Sequence, residues 1–176
     1  VLFRSGYVTT RVLAAPQDLS SGVLRITVIP GRIRAMRFDA ASSSRARLSN
    51  AMPASEGQLL NLRDLEQALE NFKRVPTAEA DIRIVPAADS KALPGDSDID
   101  ILWTQQRPIR LSADLNNSGS TATGRYLGSL TLSVDHGLTL NDLFYLSASR
   151  ALGGGDDGPR STQSQVIHYS LPLGYW

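Results

Sequence analysis

The chain has no cysteine, which excludes disulfide scaffolds, thiolate metal sites and cysteine nucleophiles. Histidine is scarce too. His136 and His168 lie far apart, and neither has a histidine or glutamate at ligand spacing, so a zinc centre is not expected. Charge of one sign is missing: 18 Lys and Arg against 17 Asp and Glu give a net charge of +1, without the basic excess of a nucleic-acid binder. No apolar run approaches the roughly 20 residues a membrane-spanning helix needs. Gly153-Gly154-Gly155 lacks the Lys-Ser/Thr of a phosphate loop, so no nucleotide is expected. Ser129, Ser133, Asp135 and His136 form no recognisable triad. The expectation is a non-enzyme with no catalytic residue, metal or cofactor.

What is present is an ordinary globular balance of 41 % apolar and 20 % charged residues, which argues against general disorder. The 176 residues are room for one domain or two small ones. The chain opens on Val1 rather than Met and stops at Trp176 in an apolar stretch, so it reads as a piece of a longer protein. Val1 to Ser5 joins poorly to the segment after it. Composition shifts near Arg107-Pro108, from mixed strand and helix patterns to Ser/Thr/Leu/Gly/Asn-rich strands.

Upstream of that point, β-branched residues at 7–13 and alternation at 23–29 predict two strands, with a turn at 17–22. A third strand is expected at 32–39, with Ile33, Ala35 and Arg37 on one side and Arg34, Met36 and Phe38 on the other. Ser42-Ser43-Ser44 can cap a short helix that Pro53 stops. A second helix opens at Asn61, an N-cap residue, with Asp64 in its first turn and Leu62, Leu65, Leu69 and Phe72 at helical spacing. Strands follow at 81–85 and 98–104, joined by a loop at 87–96. The order is β-α-α-β-β, and the two opening strands match the end of the same unit, an internal repeat with one copy truncated.

Downstream, 110–116, 126–134, 143–152 and 162–173 alternate apolar and polar residues, with turns at 119–124 and 136–142 and a flexible loop at 153–159. Strands of about nine to eleven residues with one apolar and one hydroxyl- and amide-rich face suit a transmembrane barrel, and four such strands cannot close one. Periodicity alone fits soluble β-structure equally well.

The residues that decide between these are motifs in order. Gly6-Tyr7-Val8-Thr9-Thr10-Arg11-Val12 and Pro16-Gln17-Asp18-Leu19 resemble the end of the first POTRA domain of two-partner secretion transporters. Pro30-Gly31-Arg32-Ile33 resembles the link into the second, 61–71 with Arg74-Val75-Pro76 its second helix, and Ile84-Val85-Pro86 with Pro94-Gly95-Asp96 its last hairpin. Asp114, Asn116-Asn117-Ser118-Gly119 and Thr123-Gly124-Arg125-Tyr126 resemble the first barrel hairpin, and Leu140-Asn141-Asp142-Leu143 the next turn.

The resemblance implies an α+β POTRA (βααββ) domain followed by antiparallel strands of a truncated transmembrane β-barrel. Residues 1–31 would end a first POTRA domain, 32–106 form a second, and 107–176 supply the first four barrel strands. It implies a Gram-negative outer-membrane location, POTRA domains in the periplasm, contact with outer-membrane lipid, and an unfolded, extended exoprotein as partner: a haemolysin, adhesin or contact-dependent inhibition toxin. No ATP is available there, so directionality would come from cargo folding outside. The family's strand after the second helix lies at a sheet edge, a template for an incoming strand. Here that is Asp81, Ile82, Arg83, Ile84 and Val85, with Thr9, Thr10, Arg11, Val12 and Leu13 in the preceding unit, and the groove between 81–85 and the helix 61–75 would add apolar contacts. An outer-membrane assembly factor and a periplasmic chaperone-like module are the alternatives.

Overall fold

A computed structural model describes residues 2–87, 92–154 and 162–176. The chain divides into two compact units, one of residues 1–74, 78–104 and 173–176, the other of 75–77 and 105–172. Part of the expected loops at 87–96 and 153–159 lies outside the described residues.

In the first unit a short pair, β1 (Arg11–Leu13) and β2 (Thr27–Ile29), runs antiparallel. Both strands are shorter than their composition predicts. Gln17 is the reason at one end: its side-chain amide donates to the Arg25 carbonyl at 2.9 Å and accepts from the Arg25 N–H at 2.8 Å, so a side chain takes the place of a ladder partner there. A three-stranded sheet follows, with β5 (Asp96–Gln105) between β3 (Arg32–Phe38) and β4 (Ala78–Pro86). Ile99, Ile101 and Trp103 of β5 are fully buried, as strict alternation requires. The helix α1 (Leu62–Phe72) covers them with Leu65, Ala68 and Phe72. Asn61 caps it by accepting from the Arg63 N–H at 3.1 Å. The Trp103 indole donates to the Phe72 carbonyl at 3.2 Å, and Phe38 meets Phe72 edge-on at 6.0 Å.

Two expectations are corrected here. A β-bulge between Ile33 and Ala35 changes the parity of β3. Ile33, Met36 and Phe38 therefore share the core side, while Ala35 and Arg37 pair with Asp98 and Asp100 on the other. Arg37 bonds Asp100 at 2.6 Å and Asp98 at 3.2 Å, and the Asp100 hydrogen bond holds its guanidinium above the ordinary arginine range. The helix expected from Ser42 does not form. Ser42 is drawn to β5 instead: its hydroxyl donates to the Ile101 carbonyl and accepts from the Trp103 N–H, and the Ser43 N–H donates to the Trp103 carbonyl. The segment continues as turns.

The last residues also differ from expectation, since the final strand stops at Ser170 and 173–176 fold onto α1. Asn71, buried, donates to the Ala51 and Gly174 carbonyls at 2.8 and 2.7 Å. Tyr175 donates to the Asp64 carboxylate, which raises the pKa of its hydroxyl.

The second unit is a meander of β6 (Ile109–Asn116), β7 (Tyr126–Asp135), β8 (Leu143–Gly153) and β9 (Gln163–Ser170). Each pair is antiparallel, with a single irregularity between Tyr126 and Leu127.

We predict that Phe72→Ala destabilises the first unit by roughly 3–5 kcal/mol, because it empties the space between α1 and β5, and Asn61→Ala by about 1 kcal/mol. Urea unfolding followed by tryptophan fluorescence checks the ranking; equal midpoint shifts would contradict it.

Candidate docking edge and outward-facing apolar sheet

The edge position expected for 81–85 is where the structure puts β4, outside β5 in the sheet. Asp81 and Arg83 are exposed and pair with each other at 2.9 Å, while Ile82 and Ile84 are half-buried. Leu65 and Phe72 of α1 are closed into the core, so the space between α1 and β4 is filled. An open cleft of about 410 Å³ lies elsewhere in the unit, lined by Thr9, Arg11, Ile29, Ile84, Val85 and Pro94 among others. It brings residues of both expected segments to one surface. Val12 and Leu13 are half exposed on β1. Thr10 instead serves the backbone, accepting from the Gly31 N–H at 3.0 Å. Gly31 admits no side chain, since a Cβ there would collide with the Thr9 hydroxyl.

In the second unit the register sorts residues into rows across all four strands. Leu111, Leu132, Leu146 and Ile167 make one row, and Ile109, Val134, Phe144 and Tyr169 another on the same face. Ser112, Thr131, Ser147 and Val166, and Asp114, Ser129, Ser149 and Ser164, make rows on the opposite face. The exposure is inverted relative to a water-soluble sheet. Leu111 is 69 % exposed and Ile167 74 %, while Ser133 and Asp135 on the polar face are buried. On that polar face Thr131 and Ser147 share a hydrogen bond at 2.8 Å, and Tyr145 stacks on His168 at 4.8 Å. The apolar face ends in aromatic residues both ways, Phe144 and Tyr169 at one end and Tyr126 at the other, as in the aromatic girdles of barrels.

The six motif residues assigned to a barrel start build the β6–β7 hairpin. Asn116 donates to Asp114 at 2.6 Å and accepts from the Ser118 N–H. The Gly119 N–H donates to the Arg125 carbonyl, and a Cβ on Gly119 would collide with the Gly124 carbonyl oxygen. Gly124 itself has φ +108°, and the Thr123 and Ser120 hydroxyls bond at 2.8 Å. Asn117 lies in the connection between the strands. Asn and Gly here do ordinary turn chemistry.

Sequence reasoning missed the polar cluster at the other end of the same strands. Asp135, fully buried, accepts from Arg110 Nε and Nη2 at 3.0 and 3.1 Å and from the Thr77 hydroxyl at 2.9 Å. Gln105 donates to the Asp135 carbonyl at 3.0 Å. The next turn holds His136, Thr139 and Asn141 at positive φ, conformations that cost a non-glycine residue energy and persist only when over-determined. Here the Asp142 carboxylate accepts from the Leu138 and Leu140 N–H groups, and the His136 ring accepts from the Asn141 N–H at 2.9 Å. The available signal was parity: Arg110 and Asp135 fall on the polar face from adjacent strands.

A βα fold with a strand at its sheet edge, continuing in one chain into a sheet with an exposed apolar face, is the architecture of a POTRA-bearing outer-membrane β-barrel protein. The comparisons agree. Residues 1–31 match the ShlB-type POTRA domain, 32–86 a POTRA domain, and 95–176 the haemolysin secretion/activation protein ShlB/FhaC/HecB. The chain is 40 % identical over 97 % of its length to the outer membrane transporter CdiB-2 of Burkholderia pseudomallei (strain 1026b), covering 28 % of that protein. It is 28 % identical over 97 % of its length to the hemolysin transporter protein ShlB of Serratia marcescens, covering 29 % of it. The structure of CdiB from Escherichia coli superposes with a TM-score of 0.81 at 33 % identity, over 99 % of this chain and 31 % of that one. Residues 95–176 thus resemble the ShlB/FhaC/HecB family, and residues 1–86 are similar to POTRA domains. The chain spans under a third of the length of these relatives, and its POTRA portion is periplasmic.

We predict that Arg110→Met in the full-length transporter lowers barrel stability by roughly 3 kcal/mol, because it strands a buried carboxylate, and that adding Asp135→Asn recovers part of the loss. The temperature at which the barrel loses its folded migration in detergent gels measures both. Additive losses in the double variant would mean the two side chains do not act together.

Proposed function

We propose that the protein of which this chain is a part moves an exoprotein across the outer membrane by two-partner secretion, its POTRA portion capturing unfolded cargo and handing it to the barrel. The observation that carries this reading is the coexistence, in one chain, of an edge strand at β4 and a sheet with its apolar face outward. Pairing along β4 is a main-chain interaction, so it tolerates many cargo sequences. Asp81 and Arg83 neutralise each other on the exposed face of the strand. Thr9, Arg11, Ile84 and Val85 line the neighbouring cleft, which suits side chains projecting from a bound extended segment. The cargo class is a haemolysin, adhesin or contact-dependent inhibition toxin. The partners are that exoprotein and the lipid around the barrel, without nucleotide or nucleic acid.

In this reading the division falls at 1–31, 32–106 and 107–176, the last being barrel strands one to four. The work is done by pairing and burial; no covalent step is needed.

Arg83→Pro and Ile84→Pro form a paired test in the full-length transporter. Successive residues of an edge strand aim their N–H groups alternately at the neighbouring strand and at the open side. One proline therefore removes an edge donor and the other a bond within the sheet. The expected result is that the edge-facing variant keeps the fold by circular dichroism and protease resistance but secretes cargo at least tenfold less. Undiminished secretion with the fold intact would rule out pairing at β4.

A further inference from the structure

The apolar face of β6–β9 changes character along its length, and we propose that its end nearest the β6–β7 hairpin binds the phosphate-bearing headgroup of outer-leaflet lipopolysaccharide, with Arg150 as the recognising charge. The rows nearest Ile109 and Leu111 are wholly apolar. The row Ala113, Leu130, Ala148 ends in Gln165, and the row Leu115, Gly128, Arg150 ends in Gln163. Arg150 is the one charged side chain on this face among the described residues, and it is exposed. No carboxylate among those residues forms an ion pair with it. A furrow of about 460 Å³ runs beside it, lined by Leu115, Gly128, Leu130, Ala148, Leu152 and Gln165 among others.

A guanidinium facing hydrocarbon is strongly unfavourable at the bilayer midplane and close to neutral at the interface. That cost places Arg150 at headgroup depth. Tyr126, on the same face and at the same end, fits that depth as a girdle residue. The chain enters β6 at Ile109 from its periplasmic portion, so the end carrying Asn116, Gly128 and Arg150 points outward, to the outer leaflet. The charge complementarity then selects the occupant. Lipid A presents phosphates at that level, and a guanidinium fork engages phosphate through two parallel hydrogen bonds. The Gln163 and Gln165 amides supply further donors, and the furrow accommodates an acyl chain. This inference rests on the membrane-facing reading of the sheet.

The test uses the full-length transporter inserted into phosphatidylethanolamine vesicles and titrated with lipopolysaccharide, read as the rise in barrel unfolding temperature. For the wild type the unfolding temperature should rise and saturate. For Arg150→Gln the half-saturating concentration should increase roughly fivefold, the equivalent of about 1 kcal/mol for one charge at a membrane surface. Arg150→Lys should fall between them. Dephosphorylated lipid A should act on wild type and Arg150→Gln alike. The proposal is overturned if Arg150→Gln titrates as the wild type does, or if dephosphorylated lipid A or phosphatidylglycerol matches lipopolysaccharide on the wild type. A wild type that does not enter vesicles would instead overturn the membrane-facing reading.

Discussion

In hydrocarbon no water is available to satisfy a backbone N–H or C=O, so each must find its partner within the protein. The second unit is organised around that requirement. Among the described residues β6 to β9 pair in antiparallel order, and the one register shift, at Tyr126 and Leu127, sits beside the hairpin at one end. Once the backbone is committed to that ladder, strand parity decides the rest. In a barrel every second side chain meets lipid and every other one an aqueous interior. In β6 to β9 leucine is the commonest residue of the first set and serine the commonest of the second. The first unit obeys the opposite rule of a water-soluble fold, burying Ile99, Ile101 and Trp103 while leaving Asp81 and Arg83 in solvent.

The residues around Asp135 are an exception within the second unit. A carboxylate with no exposure is tolerable only when its lone pairs are occupied. Here Arg110 fills them from β6 and Thr77 from a segment far earlier in sequence. Gln105 ties the backbone of the same residue. Asp135 thereby joins residues 77, 105 and 110 of the second unit through its side chain and backbone.

How much could be read from the sequence depends on the range of the interactions concerned. α1 was legible from Asn61, Asp64 and the spacing of Leu65, Ala68 and Phe72, because capping and amphipathicity are local. The strands β4 to β8 were legible within a few residues because alternation is local too. Three features were not. The Ser42 segment has helix-cap residues, but the sheet offers its hydroxyl better partners at Ile101 and Trp103, residues some sixty positions away. The bulge at Ile33/Ala35 leaves no composition signal, since Arg34, Ala35 and Met36 suit either parity. The Asp135 cluster depends on pairing across strands and on Thr77, which no local pattern connects. Of the candidate docking residues, the edge position of 81–85 was legible through the resemblance in motif order. Their proximity to Thr9 and Arg11 was not, because it is a packing of separate segments.

The close approach of Gly31 to Thr9 has a consequence for how a long cargo would be held. With β1 and β4 fixed on one body beside a shared cleft, a segment gripped at either site presents its neighbouring residues to the other at high effective concentration. Two brief contacts, each weak enough to let go, then retain the chain through avidity while either one exchanges. Under the secretion reading proposed above, a polypeptide held in that way would creep forward without ever being fully released.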